Sequence, residues 1–584
     1  MTTRKDFIWK MGGQQGEGIE SCGEILATIL AKEGYSMYSQ RLFASRIKGG
    51  HTTFSLRIAL DPIYTIGERV DFLVALDQET VDMHGKEVVK GGVIICDEKV
   101  SPDFSALEGT GVICLALPIS ETALQCGTLL MRNIVALGMS VALLGFPTEA
   151  FAASIAERFA KKSQDIIDKN LAAFKAGLDL VNAKKDAIGE IETLPTLEGK
   201  DQLFLLGNEA TALGAVAAGS RFMASYPITP ASEVMEYMIK NMGKLGATVV
   251  QTEDEIAACM TAMGGAYAGT RGFTCTSGPG LSLMAESLSM ASMAEIPMVV
   301  IDVQRSGPST GMATKNEHSD IHAALYNAHG DYSSIAISPI SIEECFYEIQ
   351  KAFNLAERYQ CPVIFMPDLQ QGLNKQTVPA FDLNRVAIER GKLLTEADLP
   401  ELERPHYFKR FEITEDGISN RTIPGMKNGL FLSTGLEHNE EGKPAEAPSM
   451  HVSQTDKRFR KLETVADYYD PFKVNAPHEE CDVLVVGIAS SYGSIMEAAK
   501  ELNEEGVKVN HLQLRLLKPF PTEKLAPFVN KAKKVVIVEQ NKLGQLTEQF
   551  KIHMDDKAKI SSCLKYDGNP FTKSYVKDAI KEVL

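Results

Sequence analysis

A chain of 584 residues exceeds what one hydrophobic core organises, and domains of about 100–200 residues predict three or four units. Apolar residues make up 44% and charged residues 23%, the balance of a globular chain rather than a disordered one. A formal charge of -16 argues against nucleic acid and anionic membrane surfaces as partners.

The polar start Met1-Thr-Thr-Arg-Lys-Asp6 leads into a strand-like run, and no apolar stretch reaches the roughly 18 residues of a membrane span. The expectation is a cytoplasmic protein without a signal peptide. Apolar runs then alternate with helical patterns, predicting a parallel α/β sheet: strands at 7–11, 35–39, 72–76 and 93–96, with a helix from about 18 to 33. Gly12-Gly-Gln-Gln-Gly-Glu-Gly18 joins the first strand to that helix, so the amides around Gly13 and Gly16 are candidates to face an anionic ligand. The spacing is not the dinucleotide G-x-G-x-x-G. The 35–39 strand also runs into Gln40-Arg41 without an acidic ribose partner, which disfavours NAD. Lys48-Gly-Gly-His51 reads either as a cap on the same surface or as a tight structural turn.

After a proline- and glycine-punctuated linker near 190–200, a second α/β unit shows strands at 248–251, 272–276, 298–303 and 362–366. Tyr226-Pro-Ile-Thr-Pro230 holds Thr229 between two prolines, either as a stiff binding loop or as a proline-bounded helix start. Gln251-Thr-Glu-Asp-Glu-Ile256 puts three carboxylates at a helix head, where capping is the bland alternative to chemistry. Thr276-Ser-Gly-Pro-Gly-Leu281 makes a strand, tight turn and helix, and Arg305 follows another strand end. Ligands of open α/β sheets collect at strand ends, so Thr229, Glu255, Ser277 and Arg305 are expected to face one crevice. Residues 375–475 lose periodicity and read as a long irregular connection. A third strand–helix–strand unit begins at Asp482, with strands at 507–514 and 535–539. The ten cysteines are scattered, with no two within three residues, whereas iron–sulfur and zinc sites usually draw two ligands from one tight turn. No metal site is expected, and most thiols are expected to be buried.

Tyr226-Pro-Ile-Thr-Pro230, Glu253-Asp-Glu255, Ser277-Gly-Pro-Gly280 and Gln304-Arg-Ser-Gly-Pro-Ser-Thr-Gly-Met312 occur in this order, followed by Arg410-Phe-Glu-Ile-Thr-Glu-Asp-Gly-Ile-Ser-Asn-Arg-Thr-Ile-Pro-Gly425 and Glu437-His438. The combination resembles the 2-oxoacid:ferredoxin oxidoreductases over nearly the whole chain, in particular the fused gamma-alpha subunits of the 2-oxoglutarate type. The resemblance implies three α/β domains: a gamma-type domain at 1–190, a pyrimidine-type thiamine diphosphate-binding domain at 200–375 and a transketolase C-terminal-like domain at 478–584, with an irregular connecting segment at 376–477. It implies that Glu255 bonds the aminopyrimidine ring, favouring the tautomer that takes the thiazolium proton. It also implies that Thr229, Arg305 and Tyr226 bind substrate, and that Ser277, Gly13 and Gly16 bind cofactor. Gln15 and His318 stand where the family carries glycine and glutamine; His318 reads as a solvated loop histidine, with tuning of substrate choice as the alternative.

Gly330-Asp331-Tyr332 lacks the third residue of the Gly-Asp-Gly motif that holds Mg²⁺, and Asn354 lies within a helical pattern. By resemblance, thiamine diphosphate is therefore shared with a beta subunit that carries Mg²⁺ and an iron–sulfur cluster, in an α2β2 heterotetramer. Coenzyme A is the implied co-substrate and ferredoxin the electron acceptor. The alternatives are pyruvate or broad 2-oxo acid specificity, or a non-catalytic nucleotide- or coenzyme A-binding protein built on the first glycine loop.

Overall fold

The computed structural model describes residues 5–43, 50–399 and 407–584. The chain divides into two compact units, Met1–Leu205 with Leu373–Phe381, and Leu206–Gly372 with Asp382–Leu584. Both are α/β.

The first unit is built on an eight-stranded sheet in the spatial order Ile113–Leu117, Val88–Asp97, Val70–Ala75, Asp6–Gln14, His51–Ala59, Ser36–Phe43, Lys375–Pro379 and Gln202–Leu206. The first four strands are parallel, but His51–Ala59 runs antiparallel to both Asp6–Gln14 and Ser36–Phe43. The all-parallel expectation is corrected here. Only seven residues separate Phe43 from His51, and a parallel crossover needs about a dozen or more. Helix Ile19–Lys32 buries Cys22, Leu26, Ile29 and Leu30 against the sheet. Trp9 is fully buried and donates its indole N–H to Ser140 Oγ at 2.8 Å, fixing helix Arg132–Leu144 over the same face. That helix meets Gln164–Asn182 at unusually short range: a Cβ on Gly138 would stand 2.1 Å from the Phe174 carbonyl oxygen, and one on Gly177 2.1 Å from that of Val135. The 48–51 turn falls partly outside the described residues, at Lys48 and Gly49.

The second unit holds two sheets. Seven strands run in the order Leu516–Lys518, Ile335–Ile337, Pro362–Phe365, Met298–Asp302, Gly272–Thr276, Phe222–Ser225 and Thr248–Gln251, all parallel except the first. Met298–Asp302 and Gly272–Thr276 are buried at every position, as central parallel strands covered on both faces require. The five-stranded sheet runs Phe472–Asn475, Val509–Leu514, Cys481–Ile488, Ala532–Glu539 and Ile560–Leu564, with only the edge strand Phe472–Asn475 antiparallel. Leu516–Lys518 leaves this second half of the unit to pair with Ile335–Ile337 of the first, so backbone hydrogen bonds join the halves.

In the chain between these halves, helix Pro448–Arg460 anchors the long connection through buried charge. Glu295, fully buried, accepts from Lys457 Nζ at 2.6 Å and Lys461 Nζ at 2.9 Å. Arg410 donates to the Glu295 carbonyl oxygen at 2.6 Å. Burial alone would raise the Glu295 carboxyl, but the two lysines and Arg410 hold it far below the usual carboxylate range.

Candidate active site

Because every strand of the seven-stranded sheet but the edge strand Leu516–Lys518 is parallel, the carboxyl ends of those six share one edge. Phe222–Ser225 connects outward to Thr248–Gln251 on one side, and the chain then crosses back to Gly272–Thr276 on the other. This reversal is a topological switch point, the place where open α/β sheets bind ligands. Tyr226-Pro-Ile-Thr-Pro230 and Ser277-Gly-Pro-Gly280 leave the two strands that flank it.

Glu255 opens helix Glu255–Tyr267 and is 7% exposed. It does not cap the helix: Asp254 does, accepting from the Ala257 amide at 2.7 Å. With the positive helix end already served, Glu255 turns its side chain onto the next turn of the site. A Cβ on Gly280 would lie 2.6 Å from Glu255 Cγ, 2.9 Å from its Oε1 and 2.0 Å from Thr276 Oγ1. Glycine is therefore the one residue type at 280 that leaves this carboxylate in place. The Ser277 hydroxyl is buried, makes no cap hydrogen bond with helix Gly278–Leu283, and has no partner among the described residues.

Arg305 is 5% exposed and reaches back to the proline-bounded loop, donating from Nη1 to the Thr229 carbonyl oxygen at 2.6 Å and from Nη2 to that of Thr310 at 3.0 Å. Its Nε has no partner among the described residues. Thr229 precedes a cis Pro230 and is half-buried, while Tyr226 is exposed. Arg305 and Thr229 are thus brought together, through the threonine backbone rather than its hydroxyl. Burial lowers the Arg305 guanidinium, and nearby Asp320 offsets part of this.

A cavity of about 810 Å³ opens beside Arg305, with Gly278 and Asp320 on one wall and Asn541, Lys542 and Tyr566 on the other. The wall contributed by residues 541–566 is not visible in the motifs, nor is Asp320. Asp320 packs on Gly278, where a Cβ would stand 2.3 Å from its Oδ1. Burial pushes its carboxyl up to about 7 against the pull of Arg305. Burial and then Asp320 also push Asp302 well above the usual range, and neither Asp302 oxygen has a partner among the described residues.

His318 is fully buried, which corrects its reading as a solvated histidine. Nε2 donates to Asp368 Oδ2 at 2.9 Å, Nδ1 accepts from the Gln540 amide at 3.2 Å, and the His318 amide donates to the Gln540 carbonyl oxygen at 2.7 Å. The Ser490 amide donates to the same Asp368 oxygen at 3.1 Å. The ring ties the loop before helix Ile321–Tyr326 to the five-stranded half, a packing role that a loop sequence does not reveal.

Gly13 and Gly16 lie in the other unit. The loop amides at Gln14, Gln15 and Glu17 already donate to Glu17 Oε2 (2.9 Å), the Gly50 carbonyl oxygen (3.0 Å) and the Gln14 carbonyl oxygen (3.2 Å). Glu17 in turn accepts from Arg132 at 2.7 Å, so a side-chain carboxylate occupies the anion-facing side of the loop. All ten cysteines are unbridged and eight are buried, with burial pushing Cys96, Cys259 and Cys275 up to about 12. No single described helix is long and apolar enough to cross a membrane.

Three family models match in chain order: pyruvate ferredoxin/flavodoxin oxidoreductase at 8–180, the thiamine diphosphate-binding model of pyruvate flavodoxin/ferredoxin oxidoreductase at 213–457, and pyruvate:ferredoxin oxidoreductase core domain II at 481–576. The chain is 32% identical to 2-oxoacid:ferredoxin oxidoreductase 2, subunit alpha, of Aeropyrum pernix, covering 99% of this chain and 98% of the relative. It belongs to the 2-oxoacid:ferredoxin oxidoreductase alpha subunits. A relative in Mycobacterium tuberculosis, 2-oxoglutarate oxidoreductase subunit KorA, is 30% identical over 93% of this chain and 86% of its own. A solved structure of 2-oxoglutarate:ferredoxin oxidoreductase from Magnetococcus marinus, with 2-oxoglutarate, coenzyme A and succinyl-CoA bound, superposes with a TM-score of 0.92 at 34% identity, covering 99% of this chain and 100% of that one. This alpha subunit is therefore an oxidoreductase component, and its thiamine diphosphate-binding region carries the switch-point motifs.

Proposed function

We propose that this alpha subunit supplies the pyrimidine side of a thiamine diphosphate site and the substrate-carboxylate clamp of a 2-oxoglutarate:ferredoxin oxidoreductase. The reaction is oxidation of 2-oxoglutarate with coenzyme A to succinyl-CoA and CO2, with two electrons passed to ferredoxin. A beta subunit carries Mg²⁺, the diphosphate contacts and an iron–sulfur cluster, in an α2β2 assembly. The observation that carries this reading is Glu255, a buried carboxylate at a helix head whose capping is done by its neighbour Asp254 and whose position depends on Gly280. The donor set fits the aminopyrimidine half of the cofactor: one buried carboxylate and one buried, unpartnered Ser277 hydroxyl beside the switch point.

When bound, thiamine diphosphate supplies the carbon nucleophile and the electron sink for decarboxylation. Glu255 holds the proton at the ring nitrogen, and Arg305 orients the substrate carboxylate with charge-assisted hydrogen bonds from a planar fork that lysine does not reproduce. The preference for 2-oxoglutarate over pyruvate is supported by the Magnetococcus marinus enzyme and the Mycobacterium tuberculosis subunit.

The test uses the complex with its beta subunit. Glu255→Gln is expected to assemble normally and to slow deuterium exchange at the thiazolium carbon by roughly 100- to 10,000-fold. In steady-state turnover of the same complex, Arg305→Met is expected to lower kcat/KM for 2-oxo acids about a hundredfold, with little recovery in Arg305→Lys. Exchange as fast as in the parent would leave Glu255 a purely structural carboxylate and overturn the assignment.

A further inference from the structure

On the first unit, beside its glycine-rich loop, a histidine and two carboxylates converge. One ligand atom each from His51, Asp77 and Glu79 lies within 4.8 Å of the others. Their chemistry is constrained by a short chain of hydrogen bonds. Glu87, paired with Lys10, can only accept, so His84 donates to it from Nδ1 at 2.7 Å. In its neutral form His84 then presents a lone pair at Nε2. His51 Nε2 stands 3.2 Å away and must carry the shared proton as donor. The remaining His51 nitrogen, Nδ1, is left with a lone pair, screened from water and without a partner among the described residues.

The side-chain amide of Gln14, from the glycine-rich loop, provides the second observation. Its Nε2 donates to Asp77 Oδ2 at 3.1 Å and to Glu79 Oε2 at 3.1 Å. A weakly positive amide nitrogen thus bridges two anions at the place where a cation belongs. Lone pairs on an imidazole and two carboxylates make a nitrogen–oxygen donor set suited to a borderline divalent ion. The exposed Glu79 side chain can draw inward, as ligand distances of about 2.0–2.2 Å require.

We propose that His51, Asp77 and Glu79 bind a divalent transition-metal ion, of the Zn²⁺, Mn²⁺ or Co²⁺ class, which displaces the Gln14 amide. His84, held by Glu87, orients the His51 ring from behind, as the outer partner of a metal-bound histidine commonly does. Three protein ligands leave at least one position for water.

The experiment titrates the metal-free full-length chain with Co²⁺ and follows the visible absorption of the bound ion, then displaces it with Zn²⁺. One equivalent is expected to bind. His51→Gln and Glu79→Gln are each expected to weaken binding at least tenfold, Gln14→Ala to keep or tighten it, and His329→Gln, at an exposed histidine elsewhere, to leave it unchanged. Should His51→Gln fail to fold, the exposed Glu79→Gln decides the matter alone. The absence of a saturable one-equivalent spectrum, or parental affinity in Glu79→Gln, would overturn the site.

Discussion

Asp254 and Glu255 are neighbouring carboxylates with opposite surroundings, one exposed and capping, the other buried and uncapped. The run Glu253-Asp-Glu255 is uninformative by itself, because any of the three satisfies a helix start. The assignment rests on which side chain the backbone turns inward. Asp320 shows the same dependence on position. Its carboxyl is pushed from 3.8 to about 7, first by burial, with Arg305 and the amides of Gly278 and Arg305 pulling the other way and Glu317 adding to the rise. The folded protein therefore retains a proton that the unfolded chain has lost. The stability from this group is full below pH about 4 and is lost as pH rises through about 7. In the Asp320→Asn variant the amide imitates the protonated carboxyl at every pH. Thermal unfolding of the two proteins should give similar midpoints near pH 4 and a gap that widens in favour of the variant toward pH 8. A constant gap would place the Asp320 titration elsewhere.

At the scale of elements, helix Pro448–Arg460 is held to the second unit by charge rather than by an apolar stripe. Helix Pro448–Arg460 has the sequence PSMHVSQTDKRFR, whose buried members are Gln454, Lys457 and Arg458, so the pattern that marks an amphipathic helix is missing. Its docking partner, Glu295, lies more than 150 residues away in sequence, at a left-handed turn with φ 50°. Removing one member of a buried ion network strands the rest, at a cost of about 3–5 kcal/mol. Glu295→Ala leaves Lys457 and Lys461 buried without their carboxylate. Its urea unfolding midpoint should fall clearly, and replacing both lysines with methionine in the same background should recover part of the loss. An unchanged midpoint would mean that apolar contacts alone hold the helix.

For the whole molecule, what was legible in the sequence was what is encoded locally. The central strand 272–276 and the edge strand 248–251 of the second unit appear in the structure as read. The motifs at 226–230, 253–255 and 277–280 do lie at the carboxyl ends of neighbouring strands. The remainder depends on contacts distant in sequence: Asp320 behind Gly278, the cavity wall from 541–566, the buried His318 between Asp368 and Gln540, and the antiparallel strand His51–Ala59. No periodicity or spacing announces these. On the proposed function, this chain holds half of a catalytic site and completes it with a beta subunit. The decisive assay is 2-oxoglutarate-dependent reduction of an artificial electron acceptor by the purified chain, with thiamine diphosphate, Mg²⁺ and coenzyme A supplied, before and after the beta subunit is added. The chain alone is expected to show no turnover and no stoichiometric thiamine diphosphate binding, with both restored by the beta subunit. Full turnover by this chain alone would refute the shared site.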